Sequence, residues 1–191
     1  PVSGYNPMTS KDVLGTIERL LSIDAEAVVA ETAAATVKRL GAAEDVALAV
    51  VVATPGMWTD RLWTEVEHRV AGRGRNVVVV WQGDDVGVDA VRAAAAADTV
   101  RAVWSARYGI PATVRDAVAQ EGLALALAGM GGTYDDGAAA IYDVLADDTT
   151  LSSMVAFLLG DEAAEAMGFT AVGLGPRVGE RHAVAVVEPY C

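Results

Sequence analysis

The chain has 191 residues, 53% of them hydrophobic, and its 26 acidic residues outnumber its 14 Lys and Arg residues, so the formal net charge is −12. This apolar content excludes a disordered chain, and the acidic balance argues against a nucleic-acid-binding surface. The single cysteine, Cys191, excludes an intrachain disulfide and a cysteine-based zinc site. Every apolar run is shorter than the ~20 residues of a membrane-spanning helix, so we expect no membrane association.

Residues 1–44 predict an N-terminal arm followed by a helical hairpin. Pro1–Ser10 contains Pro, Gly and Asn and is typical of extended chain. Apolar residues then recur at helical spacing in two stretches, one after Ser10 and one from Asp24 to Leu40, where Gly41 ends it. A chain beginning at Pro1 is left by removal of an initiator methionine, which predicts a cytoplasmic protein, or by cleavage of a presequence, which predicts a secreted one.

From Asp45 onward the pattern changes to alternating strands and helices. Val46–Ala53 is a valine-rich apolar run, typical of a strand buried on both faces in a parallel sheet. Thr-Pro-Gly at 54–56 ends this run, and the amphipathic stretch Met57–Ala71 follows as the helix of a βαβ unit. The same rhythm predicts three further strands and two further helices: strands Asn76–Gln82, Thr99–Ser105 and Leu123–Ala128, and helices Val86–Ala97 and Pro111–Glu121.

The last third of the chain predicts two more helices and a pair of strands. Asp135–Ala146 and Leu151–Leu159 are the helices, and Phe169–Leu174 with His182–Val187 forms an antiparallel β-hairpin. The predicted fold is therefore α/β: a mainly parallel, helix-flanked, Rossmann-like (doubly wound) sheet with an N-terminal helical hairpin and a C-terminal β-hairpin. We expect residues 45–191 to form one compact α/β domain.

Ligands of open parallel sheets bind outside the carboxyl ends of the strands, so the loops after each predicted strand hold the candidate site. Three of the four tryptophans fall there, beside glycines and one arginine. They would form an aromatic wall for a ligand, or they would simply cover the edge of the core. The candidate ligand-binding residues are Thr54, Gly56, Trp58, Trp81, Trp104, Arg107, Gly131 and Gly132.

Four aspartates at the same predicted edge are candidate ligands for a divalent cation. They are Asp84, Asp85, Asp135 and Asp136, and oxygen ligands of this kind suit Mg²⁺. The alternative is that the pair at 135–136 caps the helix that follows it. We identify no other cofactor.

The remaining chemistry-bearing residues favour no catalytic motif. His68 lies within a predicted helix one turn after Glu65, which indicates an exposed surface pair. Arg69, Arg73 and Arg75 indicate a solvated helix end. The chain has no Gly-x-Ser-x-Gly pattern for a serine nucleophile.

Four phrases near the C-terminus carry a resemblance to a known family: AAAIYDVLADD, MVAFLLGDEA, FTAVGLG and HAVAVVE. Through them, residues Thr133–Val187 resemble the C-terminal part of the bacterial CAP/SCP-like (cysteine-rich secretory protein superfamily) domain. The resemblance implies a helix followed by a β-hairpin. Ser152-Ser153-Met154 stands where the family has Gly-His-Arg, so the resemblance implies a module without the family's metal-linked histidine site.

Three functional hypotheses follow. The first is a non-catalytic structural, assembly or partner-binding protein, which predicts a homo-oligomer or a larger protein assembly. The second is a small-ligand-binding or metal-dependent enzyme domain that uses the carboxyl edge of the sheet. The third is a degenerate CAP/SCP-like module.

Overall fold

The chain folds mainly into helices, with one small sheet. The computed structural model describes residues 12–56, 60–72, 77–84, 86–187 and 189. Among these described residues, helix accounts for 62% and strand for 7%. In chain order the elements are α1 (Asp12–Ser22), α2 (Ala25–Arg39), β1 (Ala49–Ala53), α3 (Arg61–Arg69), β2 (Val77–Trp81), α4 (Val88–Tyr108), α5 (Val114–Leu127), α6 (Asp136–Leu145), α7 (Leu151–Leu159), α8 (Asp161–Ala166) and α9 (Val178–Val187).

The sheet consists of β1 and β2, which pair in parallel with Ala49 opposite Val77 and Ala53 opposite Trp81. The parallel pairing of the first two predicted strands is therefore confirmed. The prediction that the first strand spans Val46–Ala53 and is buried on both faces is wrong. β1 begins only at Ala49, which is exposed, and its other residues are half-buried, because no third described strand joins the sheet.

Two predicted strands are helical, which is the main reason why the doubly wound fold is wrong. Thr99–Ser105 lies inside α4, and most of Leu123–Ala128 forms the last turns of α5. Leu123–Ala128 consists of leucine and alanine, which are strong helix formers, and Thr99–Ser105 continues the helix that contains the alanine run Ala93–Ala97. A capping box also fixes the start of α5, because Asp116 N donates to Thr113 Oγ1 and Thr113 N donates to the Asp116 carboxylate, each at 3.1 Å.

The predicted C-terminal β-hairpin is also absent. Its second strand is the helix α9, and its first strand is a loop that is held by the start of α8. The carboxylate of Asp161 accepts hydrogen bonds from Val172 N at 2.8 Å and Gly173 N at 2.9 Å. These bonds satisfy backbone groups of the loop that a partner strand would otherwise satisfy.

Several helices match their predictions. α1 and α2 precede the first strand, α7 has its predicted bounds, and α6 differs by one residue at each end. The predicted helix Met57–Ala71 is shorter, because α3 begins after its N-cap Asp60, and residues 57–59 lie outside the described ranges.

Helix α4 links the two largest apolar clusters of the protein. On one side it packs against α2 and β2, where Val29, Val78 and Val91 are buried. On the other side it packs against α5, which in turn packs against α9 and α7 around Phe157. The candidate site lies where α3, α4, α5 and α9 meet.

Candidate functional site

Charged side chains from four helices converge in the interior beside α4. We call this set the ion network; its members are Glu65, His68, Arg69, Asp98, Arg101, Glu121, Arg177 and Glu180. Most of these side chains are buried, while Glu65 and Arg177 lie at the edge. Charged side chains are seldom buried in this way unless they are paired with groups of opposite charge.

Helix geometry brings the members onto facing surfaces. Asp60 caps α3, since its Oδ1 accepts from Trp63 N at 2.7 Å. From that start, Glu65, His68 and Arg69 fall three or four residues apart and share one face of α3. Asp98 and Arg101 are similarly spaced on α4. The spacing places side chains of opposite charge in contact both within each helix and between helices.

Glu121 of α5 is the centre of the network and is fully buried. Its carboxylate accepts from Arg101 Nε and Nη2 and from Arg69 Nε, each at 2.8 Å. Burial by itself raises the pKa of Glu121, but the two guanidinium charges outweigh burial and hold that pKa well below its usual range. The same attraction, together with Glu180 and Glu65, raises the pKa of Arg69 despite its burial.

Arg177 closes the network on its solvent side. Its Nη1 donates to Glu180 at 2.9 Å, and its Nη2 donates to Glu65 at 2.8 Å. Glu65 also accepts from Arg69 Nη1 at 2.6 Å. Burial raises the pKa of Glu65, and the charges of Arg69 and Arg177 overcome this effect and lower it.

His68 and Asp98 form a separate pair within the network. His68 Nε2 lies 2.9 Å from Asp98 Oδ1, and the same oxygen accepts from Arg101 Nη1 at 2.6 Å. The other ring nitrogen of His68, Nδ1, has no hydrogen-bond partner in the described part of the chain. The network has four carboxylates and three guanidinium groups, so its formal charge is −1 when His68 is neutral.

The network forms one side of a cavity of about 530 Å³, which we call the α3–α4 pocket. This volume is within the range of small-molecule sites, about 300–1,000 Å³. Most of the other lining residues are apolar. These apolar residues are Val79, Trp81, Ala93, Ala94, Ala97, Leu125, Ala128 and Met130. The pocket thus pairs a small-residue apolar wall with a wall of fixed charges.

Among the predicted site residues, Trp81 lines this pocket, and Asp84 is linked to it through Arg61. Trp81 ends β2 and lines the pocket. The Arg61 guanidinium lies 5.4 Å from the centre of the Trp81 ring and binds both carboxylate oxygens of Asp84, at 2.9 and 3.0 Å. Asp84 therefore positions Arg61 at the pocket and is not free to bind a cation.

The other predicted site residues that follow β1 and β2 in the sequence are Thr54, Gly56, Trp58 and Asp85. Thr54 and Gly56 follow β1 and lie next to the loop after β2, because Gln82 N donates to Ala53 O at 2.8 Å. Thr54 is half-buried and Gly56 is exposed. Trp58 and Asp85 lie outside the described residues.

Trp104 and Arg107 belong to the end of α4, so their predicted position after a strand is wrong. The Trp104 ring packs against Tyr108, with ring centres 4.9 Å apart. Arg107 donates to Glu44 at 2.6 Å through Nε and at 3.0 Å through Nη2. These contacts tie the end of α4 to the chain before β1.

Gly131, Gly132, Asp135 and Asp136 lie between α5 and α6, and their arrangement is structural. Asp135 Oδ1 accepts from Ala138 N at 2.7 Å and so caps α6, as the alternative interpretation expected. Gly132 lies so close to the backbone of Ala185 in α9 that a β-carbon would collide with it, whereas Gly131 has open space.

No three His, Cys, Asp or Glu side chains are placed to hold a metal ion within the ranges that the structure covers. Asp84 is paired with Arg61 and Asp135 is a helix cap. Because Asp85 lies outside those ranges, the Mg²⁺ hypothesis stays a prediction. Among the described helices, none is both long and apolar enough to span a membrane.

The sequence interpretation missed most of the ion network. We expected His68 to be exposed and Arg69 to be solvated, and both are buried; His182, predicted to begin a strand, is buried in α9. The sequence does show opposite charges at helical spacing, three residues for Asp98 and Arg101 and four for Glu65 and Arg69. On a helix these spacings put the charges on one face, which a strand does not do.

Comparison of the chain with protein-family models, with curated proteins and with solved structures found no match. The resemblance of residues 133–187 to the CAP/SCP-like domain therefore stays a prediction. Its implied β-hairpin is replaced by a loop and α9.

Proposed function

We propose that the protein binds a small organic molecule in the α3–α4 pocket. The observation that carries this proposal is His68, which lines the pocket, is 9% exposed, and has one ring nitrogen held by Asp98 and the other without a described partner. A ligand in the pocket would give this nitrogen a hydrogen-bond partner.

The energetics of the ion network support a functional role. Burying charged groups carries a desolvation penalty, and ion pairing often does no more than offset that penalty. Well-packed apolar residues at the same positions would stabilise the fold as much or more. Charged clusters with shifted pKa values, situated at a cavity, are the usual setting of binding and catalytic sites. Glu121, Glu65 and Arg69 have such shifts, and Arg69 and Glu65 line the pocket.

The two walls define the chemistry of the ligand. The apolar wall of alanines, Leu125 and Trp81 favours a hydrocarbon or aromatic part. Because a carboxylate accepts the hydrogen bond from His68 Nε2, Nδ1 is the acceptor, and it requires a hydroxyl or N–H donor on the ligand. The ligand is therefore a compact molecule with an apolar part and one hydrogen-bond donor.

Phenol, benzyl alcohol and indole are suitable probes of this chemistry. We expect saturable binding by ligand-detected NMR and by Trp81 fluorescence, and loss of binding in Ala94→Leu, which fills the pocket. Ala106→Leu is the matched control, because Ala106 is exposed on the same helix. Absence of saturable binding for all three probes, or binding that survives Ala94→Leu, would overturn the proposal.

A second candidate function is self-association, which corresponds to the assembly protein predicted from the sequence. The observation in its favour is that β1 pairs only with β2 among the described strands, and that the run from Val46 to Ala53 has no charged residue to block edge pairing. Light scattering after size exclusion would give a dimer or larger species that Ala49→Lys dissociates and Ala106→Lys does not. A monomer at every concentration would exclude this function.

A further inference from the structure

We propose that His68 is a general base, and that the α3–α4 pocket catalyses abstraction of a proton from the molecule it binds. This inference rests on the proposed function, because a ligand has to occupy the pocket before His68 can contact it. It deepens that function by assigning a reaction class, proton transfer, to the same site.

The geometry leaves one nitrogen of His68 as a base. Asp98 Oδ1 lies 2.9 Å from His68 Nε2, and since a carboxylate oxygen only accepts, Nε2 carries the hydrogen. The lone pair is therefore on Nδ1, which has no partner among the residues described. An aspartate that fixes the tautomer and orientation of an imidazole is the arrangement by which catalytic histidines are prepared.

A proton accepted by His68 would neutralise the formal charge of the ion network. Four carboxylates face three guanidinium groups, so the formal charge of the network is −1 while His68 is neutral and zero once His68 has accepted a proton. The interaction is strengthened by burial, because the low dielectric of the interior screens charges less than water does. Asp98 is the nearest carboxylate to the imidazolium that would form.

The negative charge left on the substrate would meet cations at the pocket. Arg61 and Arg177 both line it, and about half of each side chain is exposed, 52% and 47%. Guanidinium groups placed where negative charge develops stabilise a transition state. The site thus has a base on the inside and cations at the outer side.

A suitable probe is 5-nitro-1,2-benzisoxazole, a flat apolar molecule whose ring opening begins with loss of one C–H proton. His68 Nδ1 takes the proton from C3, the C–H electron pair forms the nitrile, and the ring N–O bond breaks with its electron pair on oxygen. The products are a cyanophenolate, which is read by absorbance, and imidazolium, which returns its proton to water. No oxidant, reductant or co-reactant is needed.

We expect the full-length protein to accelerate this reaction by about 10²-fold or more over the same concentration of free imidazole, which is the scale of general-base catalysis. His68→Gln and Ala94→Leu should reduce the rate to the solution background, while Ala106→Leu retains it. Benzyl alcohol should inhibit the unmodified protein competitively, which tests the pocket without any substitution.

Asp98 is a positioning residue in this scheme, and Asp98→Asn distinguishes that role from a purely structural one. We expect kcat to fall more than KM changes, and long-range ¹H–¹⁵N spectra of the His68 ring to show loss of the single tautomer protonated at Nε2. An unchanged kcat in this folded variant would contradict the role of Asp98.

The proposal is overturned if the protein gives no acceleration over free imidazole, or if His68→Gln retains the rate while its circular dichroism matches the parent. These outcomes remain distinct from failure of the proposed function. If phenol and benzyl alcohol bind but the rate is at background, the pocket binds ligands and His68 is not a base. If neither probe binds, the proposed function itself fails.

Discussion

Removing the negative charge of Glu121 tests whether the ion network exists as described. Glu121→Gln preserves the size of the side chain and replaces one carboxylate oxygen by an NH₂ group. Whichever oxygen is replaced, the NH₂ group then faces at least one guanidinium donor, from Arg101 Nε on one side or from Arg69 Nε and Arg101 Nη2 on the other. The formal charge of the network would change from −1 to 0. Any loss of stability therefore comes from guanidinium donors left without an acceptor, and not from an increase in net charge.

The magnitude follows from the burial of the group. Each hydrogen bond to a charged partner is worth about 1.5–3 kcal/mol, and breaking a buried ion pair from one side costs about 3–5 kcal/mol. For a chain of this size about 1 kcal/mol corresponds to a Tm shift of about 2–4 °C. We therefore expect the Tm of Glu121→Gln to fall by about 6–20 °C, measured by circular dichroism and calorimetry at pH 7.

Two further variants make this prediction specific. Asp147→Asn removes the exposed pair with Arg115, whose atoms are 2.9 Å apart, and should leave the Tm unchanged. The double variant Arg101→Gln/Glu121→Gln should cost less than the sum of the two single variants, because the second substitution removes an already unpaired group. A Tm for Glu121→Gln within about 2 °C of the parent, equivalent to less than ~1 kcal/mol, would refute the buried network.

Three further predictions follow from the same structure. The folded-state pKa values of Glu121 and Glu65 are lowered below the ordinary 4.5, so the stability that these carboxylates contribute is complete above pH 4.5 and is lost as the pH falls. Urea unfolding between pH 7 and pH 3 should show this decline in stability. A flat profile would contradict the prediction. Burial lowers the pKa of His182 from 6.5, against the attraction of Asp135 and Asp143, so stability should also decrease as the pH falls below 6.5, and His182→Gln should flatten that part of the curve. Gly132→Ala should destabilise the protein by about 1–3 kcal/mol through collision with Ala185, whereas Gly131→Ala, which meets open space, should not; equal effects in denaturant unfolding would contradict this packing.

The sequence predicts the local elements of this protein better than its architecture. The helices α1, α2, α6 and α7 and the parallel β1–β2 pair were predictable because each has a clear period, cap or turn. The number of strands was not, because Thr99–Ser105 and Leu123–Ala128 are short apolar segments in which helical and strand periods cannot be separated. Alanine and leucine propensity favours helix in Leu123–Ala128, and both segments pack within the contact between α4 and α5.

Trp81 keeps its predicted position at the end of a parallel strand although the predicted doubly wound fold is wrong. Trp81 ends β2 and lines the pocket, and Asp84 binds Arg61, which also lines it. The prediction failed where it depended on strands that are helices, as for Trp104 and Arg107, which stabilise the end of α4. Asp135 caps α6 and Gly132 packs against the backbone of α9, and their roles in binding a cation or a ligand stay predictions.

The ion network was hidden because each helix presents a pattern that is ordinary on a solvent-exposed face. Glu65 with Arg69 and Asp98 with Arg101 are spaced like surface pairs, and nothing within α3 or α4 alone indicates that both pairs are buried. Glu121 differs, since it lies in a helix of alanine, valine and leucine with no cation three or four residues away. A carboxylate in such surroundings has to find its cations on other helices. In the structure these cations are Arg69 of α3 and Arg101 of α4.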